Sequence, residues 1–127
     1  YAGLTKSLQS EWMYLQRVTD DAAAAFAPIE QAIEEVFLPA LIGSDDKELV
    51  AAMRPILSLS VRCAGLGIAN PTQTADESHG TSRASTVELV SSLLEGKPLD
   101  VPQYLRSCGA SKLAARSKRA DAQEEAL

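Results

Sequence analysis

The stretch Ile29-Glu30-Gln31-Ala32-Ile33-Glu34-Glu35-Val36-Phe37-Leu38-Pro39-Ala40-Leu41-Ile42-Gly43 places Ile29, Ala32, Ile33, Val36, Phe37 and Leu41 three or four positions apart. That spacing is the apolar stripe of an amphipathic helix, and it predicts a mostly helical chain. Pro28 suits a first helical turn and Gly43 a stop. Pro39 should kink the last turn, because its ring removes a donor and crowds the carbonyl four residues back. Glu30, Glu34 and Glu35 lie mostly opposite the stripe and read as a solvated face.

Upstream, Leu4, Leu8, Trp12, Leu15, Val18 and Ala22 repeat the pattern, predicting a first helix that the alanine run carries to about Ala27. Downstream, Asp45 with Glu48 reads as a capping box for a helix through Leu49, Val50 and Met53, disturbed at Arg54-Pro55. Between Ile56 and Pro71 the character changes. Leu57, Leu59 and Val61 alternate, and Ala64-Gly65-Leu66-Gly67 permits unusual backbone angles or close packing, so a loop or short strand is expected.

A fourth helix should begin near Thr72 or Thr74, show its apolar face late at Val87, Leu89, Val90, Leu93 and Leu94, and end at Gly96-Lys97-Pro98. Gly80 makes a break plausible. From Asp100 to Leu127 a weaker helix carries Val101, Tyr104, Leu105, Leu113 and Ala114, with Gly109 able to split it. The expected fold is mostly α: an irregular bundle of four to five helices, with a Gly-containing loop or short strand near 56–71. Residues 1–98 form the main helical region, and 99–127 a basic helical tail.

With 127 residues and 46% hydrophobic side chains, the chain is long enough to bury a core without a staple. No apolar run approaches the roughly 18 residues of a membrane span, so no membrane partner is expected. Cys63 and Cys108 lack Cys-x-x-Cys spacing and read as reduced thiols. No basic region followed by an apolar core marks a secretory signal, so an intracellular location, cytoplasmic or nuclear, is expected.

Catalytic and metal readings find little support. His79 is the only histidine, so Asp76 and His79 lack the second motif that a carboxylate di-metal bundle needs. Glu77-Ser78-His79-Gly80 has no Gly-x-Ser-x-Gly elbow. Asp20-Asp21, Asp45-Asp46 and Asp76-Glu77 are sequence neighbours and do not converge on a helix; the latter two suit the first turns of helices. Gly65-Leu66-Gly67 begins like a dinucleotide loop but meets Asn70 where the third glycine belongs. No catalytic residue, metal ligand or cofactor is assigned.

Charge is more informative in its distribution than in its net value of -5, which alone counts against nucleic acid. Residues 1–50 hold nine acids against Lys6, Arg17 and Lys47, whereas residues 101–119 hold Arg106, Lys112, Arg116, Lys118 and Arg119 without an acid. On a helix, Lys112, Arg116 and Arg119 form one ridge able to contact successive phosphates or an acidic partner. A merely solvated helix is the alternative.

Several strings taken in order resemble retroelement reverse transcriptases, in the region that follows the polymerase palm. Trp12-Met13-Tyr14-Leu15-Gln16-Arg17 resembles Trp-x-Tyr-x-x-Arg, and Pro28-Ile29-Glu30 with Phe37-Leu38-Pro39-Ala40-Leu41-Ile42-Gly43 resembles Pro-Leu-Glu and Phe-Leu-Pro-Ala-Leu-x-Gly. Leu57 to Pro71 is similar to Leu-x-Leu-Pro-x-Arg-x-Gly-Gly-Leu-Gly-Ile followed by Asn-Pro, with Ser60 in place of Pro and Ala64 in place of the first Gly. The family's aromatic-x-Asp-Asp motif does not occur here.

The resemblance implies a noncatalytic thumb or connector that helps hold a template-primer duplex of RNA or DNA beside a palm elsewhere in a polyprotein. Such a module needs rigid helices and cations aimed at phosphates. The candidates are Arg62, Arg83, Lys112, Arg116 and Arg119, with Arg17 next. The alternative is an orphaned or repurposed helical subunit that binds a protein partner and lacks polymerase activity.

Overall fold

The computed structural model describes residues 1–127 and contains five helices and no strand. Helix α1 is a π turn, Leu4–Leu8, running into Gln9–Val18. Helix α2 is a continuous succession of a 3-10 turn Ala23–Phe26, an α segment Ala27–Ala32, a π turn Ile33–Phe37 and an α segment Leu38–Ile42. Helix α3 is Lys47–Ser58, α4 is Pro71–Glu95 and α5 is Val101–Glu125.

The first helix stops at Val18, not near Ala27. Thr19 turns extended and Asp21 adopts a left-handed φ of 50°, a conformation that aspartate tolerates better than most residues. The π turns correct the expected buried faces. Each inserts one residue into the helical register, so the inward positions step by five: half-buried Leu4 to buried Gln9 in α1 and Ile33 to Leu38 in α2. Leu8 and Val36, inside the π turns, consequently face out at 51 and 69% exposure, and Leu15 and Val18, on the regular helix beyond, stand 52 and 59% exposed. Gln9, Trp12 and Gln16 form the inward face of α1 instead. Pro39 sits in the segment just after the π turn of α2, and the helix carries through it.

Gly43, at φ 76°, closes α2 as expected, and its N–H and that of Ser44 both donate to the Pro39 carbonyl. The cap of α3 is Asp46, one residue beyond the expected Asp45; its Oδ1 accepts from the N–H groups of Glu48 and Leu49 at 3.0 and 3.3 Å. Helix α3 continues through Pro55 to Ser58. The carbonyl that Pro55 cannot serve belongs to exposed Ala51, where water can replace the missing donor. Neither Gly80 nor Gly109 breaks its helix.

A core of Trp12, Ala22, Phe26, Ile33, Leu38, Val50, Leu57, Ile68 and Ala75 joins α1, α2, α3 and the start of α4. The segment from Leu59 to Asn70 crosses this core as a folded loop with one 3-10 turn, Val61–Cys63. It bends back on α3: the Leu57 carbonyl accepts from Leu66 and Ile68, and the Leu59 carbonyl from Gly67. A Cβ at Gly65 would collide with the Leu59 carbonyl oxygen, so this glycine is required by close approach.

Buried polar side chains satisfy the loop where strand pairing would otherwise be needed. The Gln9 amide donates to the Gly67 carbonyl and accepts from the Ala69 N–H, both at 3.0 Å. Gln16 donates to the Pro71 carbonyl at 2.9 Å and accepts from the Thr74 hydroxyl at 3.2 Å. Glu30 is buried, contrary to the solvated face expected of it, because its carboxylate receives Arg54 through both oxygens. Arg54 also donates to the Ile68 carbonyl at 2.6 Å, tying α2, α3 and the loop together.

Helix α4 packs on α1, α2 and the Ala23–Phe26 turn, whereas α5 packs substantially on α4 alone and buries no residue. The two long helices thus form a hairpin whose outer half stands away from the core.

Candidate nucleic-acid interface

Along α4, His79, Ser82, Arg83 and Thr86 occupy positions i, i+3, i+4 and i+7, a single face of the helix. Arg17, from the last turn of α1, and Asp20, from the turn that follows, complete an open cleft of about 380 Å3 with no hydrophobic lining. The absence of a hydrophobic side chain from its lining sets it apart from pockets that enclose apolar small molecules. His79 Nδ1 lies 3.5 Å from Asp20 Oδ1. Neither Arg17 nor Arg83 forms an ion pair within the chain. The Thr86 hydroxyl donates to the Ser82 carbonyl at 2.9 Å, which fixes its rotamer on the helix.

Two of the six expected cations, Arg17 and Arg83, therefore meet through the fold although they are far apart in sequence. The other four lie outside the cleft. Arg62 is exposed on the Val61–Cys63 turn. Lys112 and Arg116 are exposed on α5 and make no ion pair.

Arg119 departs from the expected ridge. Its Nε lies 3.1 Å from Glu77 Oε1 on α4, while the N–H itself is directed at the Ala115 carbonyl, 3.3 Å away. Glu77 Oε1 is buried and accepts no hydrogen bond, so the contact is ionic in character. The free part of the ridge is Lys112 and Arg116.

The acidic pairs have separate, local roles. Asp46 caps α3, Asp20 faces His79 and Glu77 faces Arg119. No three His, Cys, Asp or Glu side chains converge in a metal-holding cluster, and both cysteines are free and half-buried. No helix is long and apolar enough to cross a membrane.

Sequence reasoning missed Ser82 and Thr86 as cleft residues and Asp20 as the partner of His79. The helical spacing of the α4 residues was visible, but the turn that brings Asp20 and Arg17 beside them depends on α1 ending at Val18. It also missed Arg54, whose charge is spent on Glu30 in the interior. Comparison with protein-family models, curated proteins and solved structures finds no match.

Proposed function

We propose that the chain is a noncatalytic helical segment of a reverse-transcriptase-like retroelement protein, and that it helps hold a template-primer duplex by its phosphate backbone. The observation carrying this reading is the convergence of Arg17 and Arg83, both without an internal carboxylate partner, in a cleft that also presents Ser82 and Thr86. Two guanidinium groups beside the Ser82 hydroxyl suit a phosphate, which accepts forked hydrogen bonds from arginine and a further one from serine, while the Thr86 proton is held by the Ser82 carbonyl. Arg62, Lys112 and Arg116 add positive charge for further backbone contacts.

The order of the strings supports the same reading, and the fold gives them a physical sense. The Leu57–Pro71 string is the loop that Gln9, Gln16 and Arg54 hold, and Glu30 of the Pro-Ile-Glu string is the partner of Arg54. These residues keep the helices that carry the cations in place. They contain no reacting group, and the polymerase chemistry belongs to the palm that the resemblance implies.

Binding of a fluorescently labelled RNA–DNA hybrid at several salt concentrations tests the proposal. Affinity should fall steeply with salt, since neutralised phosphates release counterions. Failure to bind RNA–DNA, RNA or DNA duplexes at low salt would overturn it in favour of a helical protein-interaction subunit. That second reading is favoured by one observation, the outward apolar side chains Leu8, Leu15 and Val18 on α1.

A further inference from the structure

His79 is the only histidine of the chain, and the fold sets it on the wall of the cleft that holds Arg17 and Arg83. Its side chain is 21% exposed, and Asp20 is its only ion-pair partner. Arg17 comes from α1, Arg83 lies one turn onward on α4, and Asp76 lies one turn back. Asp21, next to Asp20, does not line the cleft. The Ala23–Phe26 turn, which also packs on α4, has no titratable side chain, and in the segment that follows Glu30 is taken by Arg54. Helix α5 meets α4 through Arg119 at Glu77 instead. Asp20 is therefore the one carboxylate of the cleft, and its charge opposes an anion there. A protonated His79 cancels that charge, whereas a neutral one leaves it standing.

We infer that His79 is a further ligand of the phosphate and acts in its protonated form, so that the duplex binds together with a proton; this rests on the phosphate-binding role proposed for the cleft. Histidine is the side chain whose charge changes between about pH 5 and 8. The imidazolium has an N–H on both nitrogens, so Asp20 can accept from one while a phosphate oxygen accepts from the other. The neutral ring has a single N–H, and its lone pair repels an oxygen. A backbone phosphodiester stays a monoanion through this range, so the proton goes to the ring and not to the nucleic acid. With the anion seated, the ring holds its proton to a higher pH than in the free chain. The gain in affinity is therefore complete while the free ring is protonated, and it is lost as pH rises through the titration of the bound ring.

Anisotropy titration of the RNA–DNA hybrid at constant salt, from about pH 5.5 to 8.5, tests this on the wild-type chain and on His79→Gln. Wild-type affinity should fall with rising pH, by up to about tenfold per pH unit for one linked proton. His79→Gln should lack that dependence and bind throughout as the wild type does at high pH. The Cε1–H signal of isotopically labelled histidine, unambiguous because the chain has only one, should titrate at a higher pH with the hybrid bound than without it. This second measurement needs no substitution, and so decides the matter even if the variant does not fold. A pH dependence that His79→Gln leaves intact, or a ring titration that the hybrid does not move, would overturn the inference while the phosphate site itself stands. A wild-type chain that binds the hybrid at no pH would overturn both.

Discussion

Arg54 grips Glu30 through two parallel contacts, Nε to Oε1 at 2.6 Å and Nη2 to Oε2 at 2.8 Å, with both side chains at most 10% exposed. The remaining Arg54 nitrogen holds the Ile68 carbonyl. A pair so placed contributes little net stability against well-packed apolar residues, but removing one partner strands a buried charge. Arg54→Met should therefore destabilise the fold by about 3–5 kcal/mol, and Glu30→Leu/Arg54→Met should recover much of that loss. Urea titration followed by the fluorescence of Trp12, the single and buried tryptophan, reads both variants.

Ala64 lies at φ 62°, a left-handed position where the resembling pattern has glycine. The Cβ there costs about 1–2 kcal/mol, partly offset by the greater chain entropy that glycine loses on folding. Ala64→Gly should stabilise the protein by about 1 kcal/mol, seen as a higher urea midpoint without a change in slope. Gly65→Ala should act in the opposite sense and more strongly, since its Cβ meets the Leu59 carbonyl.

The Gln9 amide supplies one donor and one acceptor to the loop at Gly67 and Ala69. Gln9→Met keeps the volume of the side chain and removes both functions, leaving two backbone groups unpaired. The expected cost is about 2 kcal/mol, again by urea titration, with amide exchange accelerating first at Ala69.

These polar contacts explain which parts of the fold were legible in the sequence. The mostly helical class was, as were the stops at Gly43 and Gly96 and the start of the last helix after Asp100, because capping and left-handed glycine are local chemistry. The buried faces were not. Apolar periodicity favoured Leu8, Leu15 and Val18, but the crossing loop needs amide partners, and Gln9 and Gln16 took the inward positions. The apolar face expected late in the fourth helix, at Val87, Leu89, Val90, Leu93 and Leu94, lies beyond the core, with all but Leu89 exposed. In the site, Arg17 and Arg83 were singled out one by one, and only the turn at Thr19–Asp21 brings their helices together.

On α5, the cations divide by their partners. Lys112→Glu/Arg116→Glu should weaken duplex binding and flatten its salt dependence, lowering the logarithmic slope by about two if each side chain meets one phosphate. Arg119→Gln should leave that slope unchanged, because its guanidinium already faces Glu77. Equal effects from both variants, measured by anisotropy titration, would return Arg119 to the ridge.

The cleft between α1 and α4 gives the most direct test of the proposed function. The measurement is the slope of log Kobs against log salt concentration for the RNA–DNA hybrid, compared between the wild-type chain and Arg17→Gln/Arg83→Gln. With one backbone phosphate seated between the two arginines, the variant should bind more weakly and lose about one unit of slope. An unchanged affinity and slope would contradict the account.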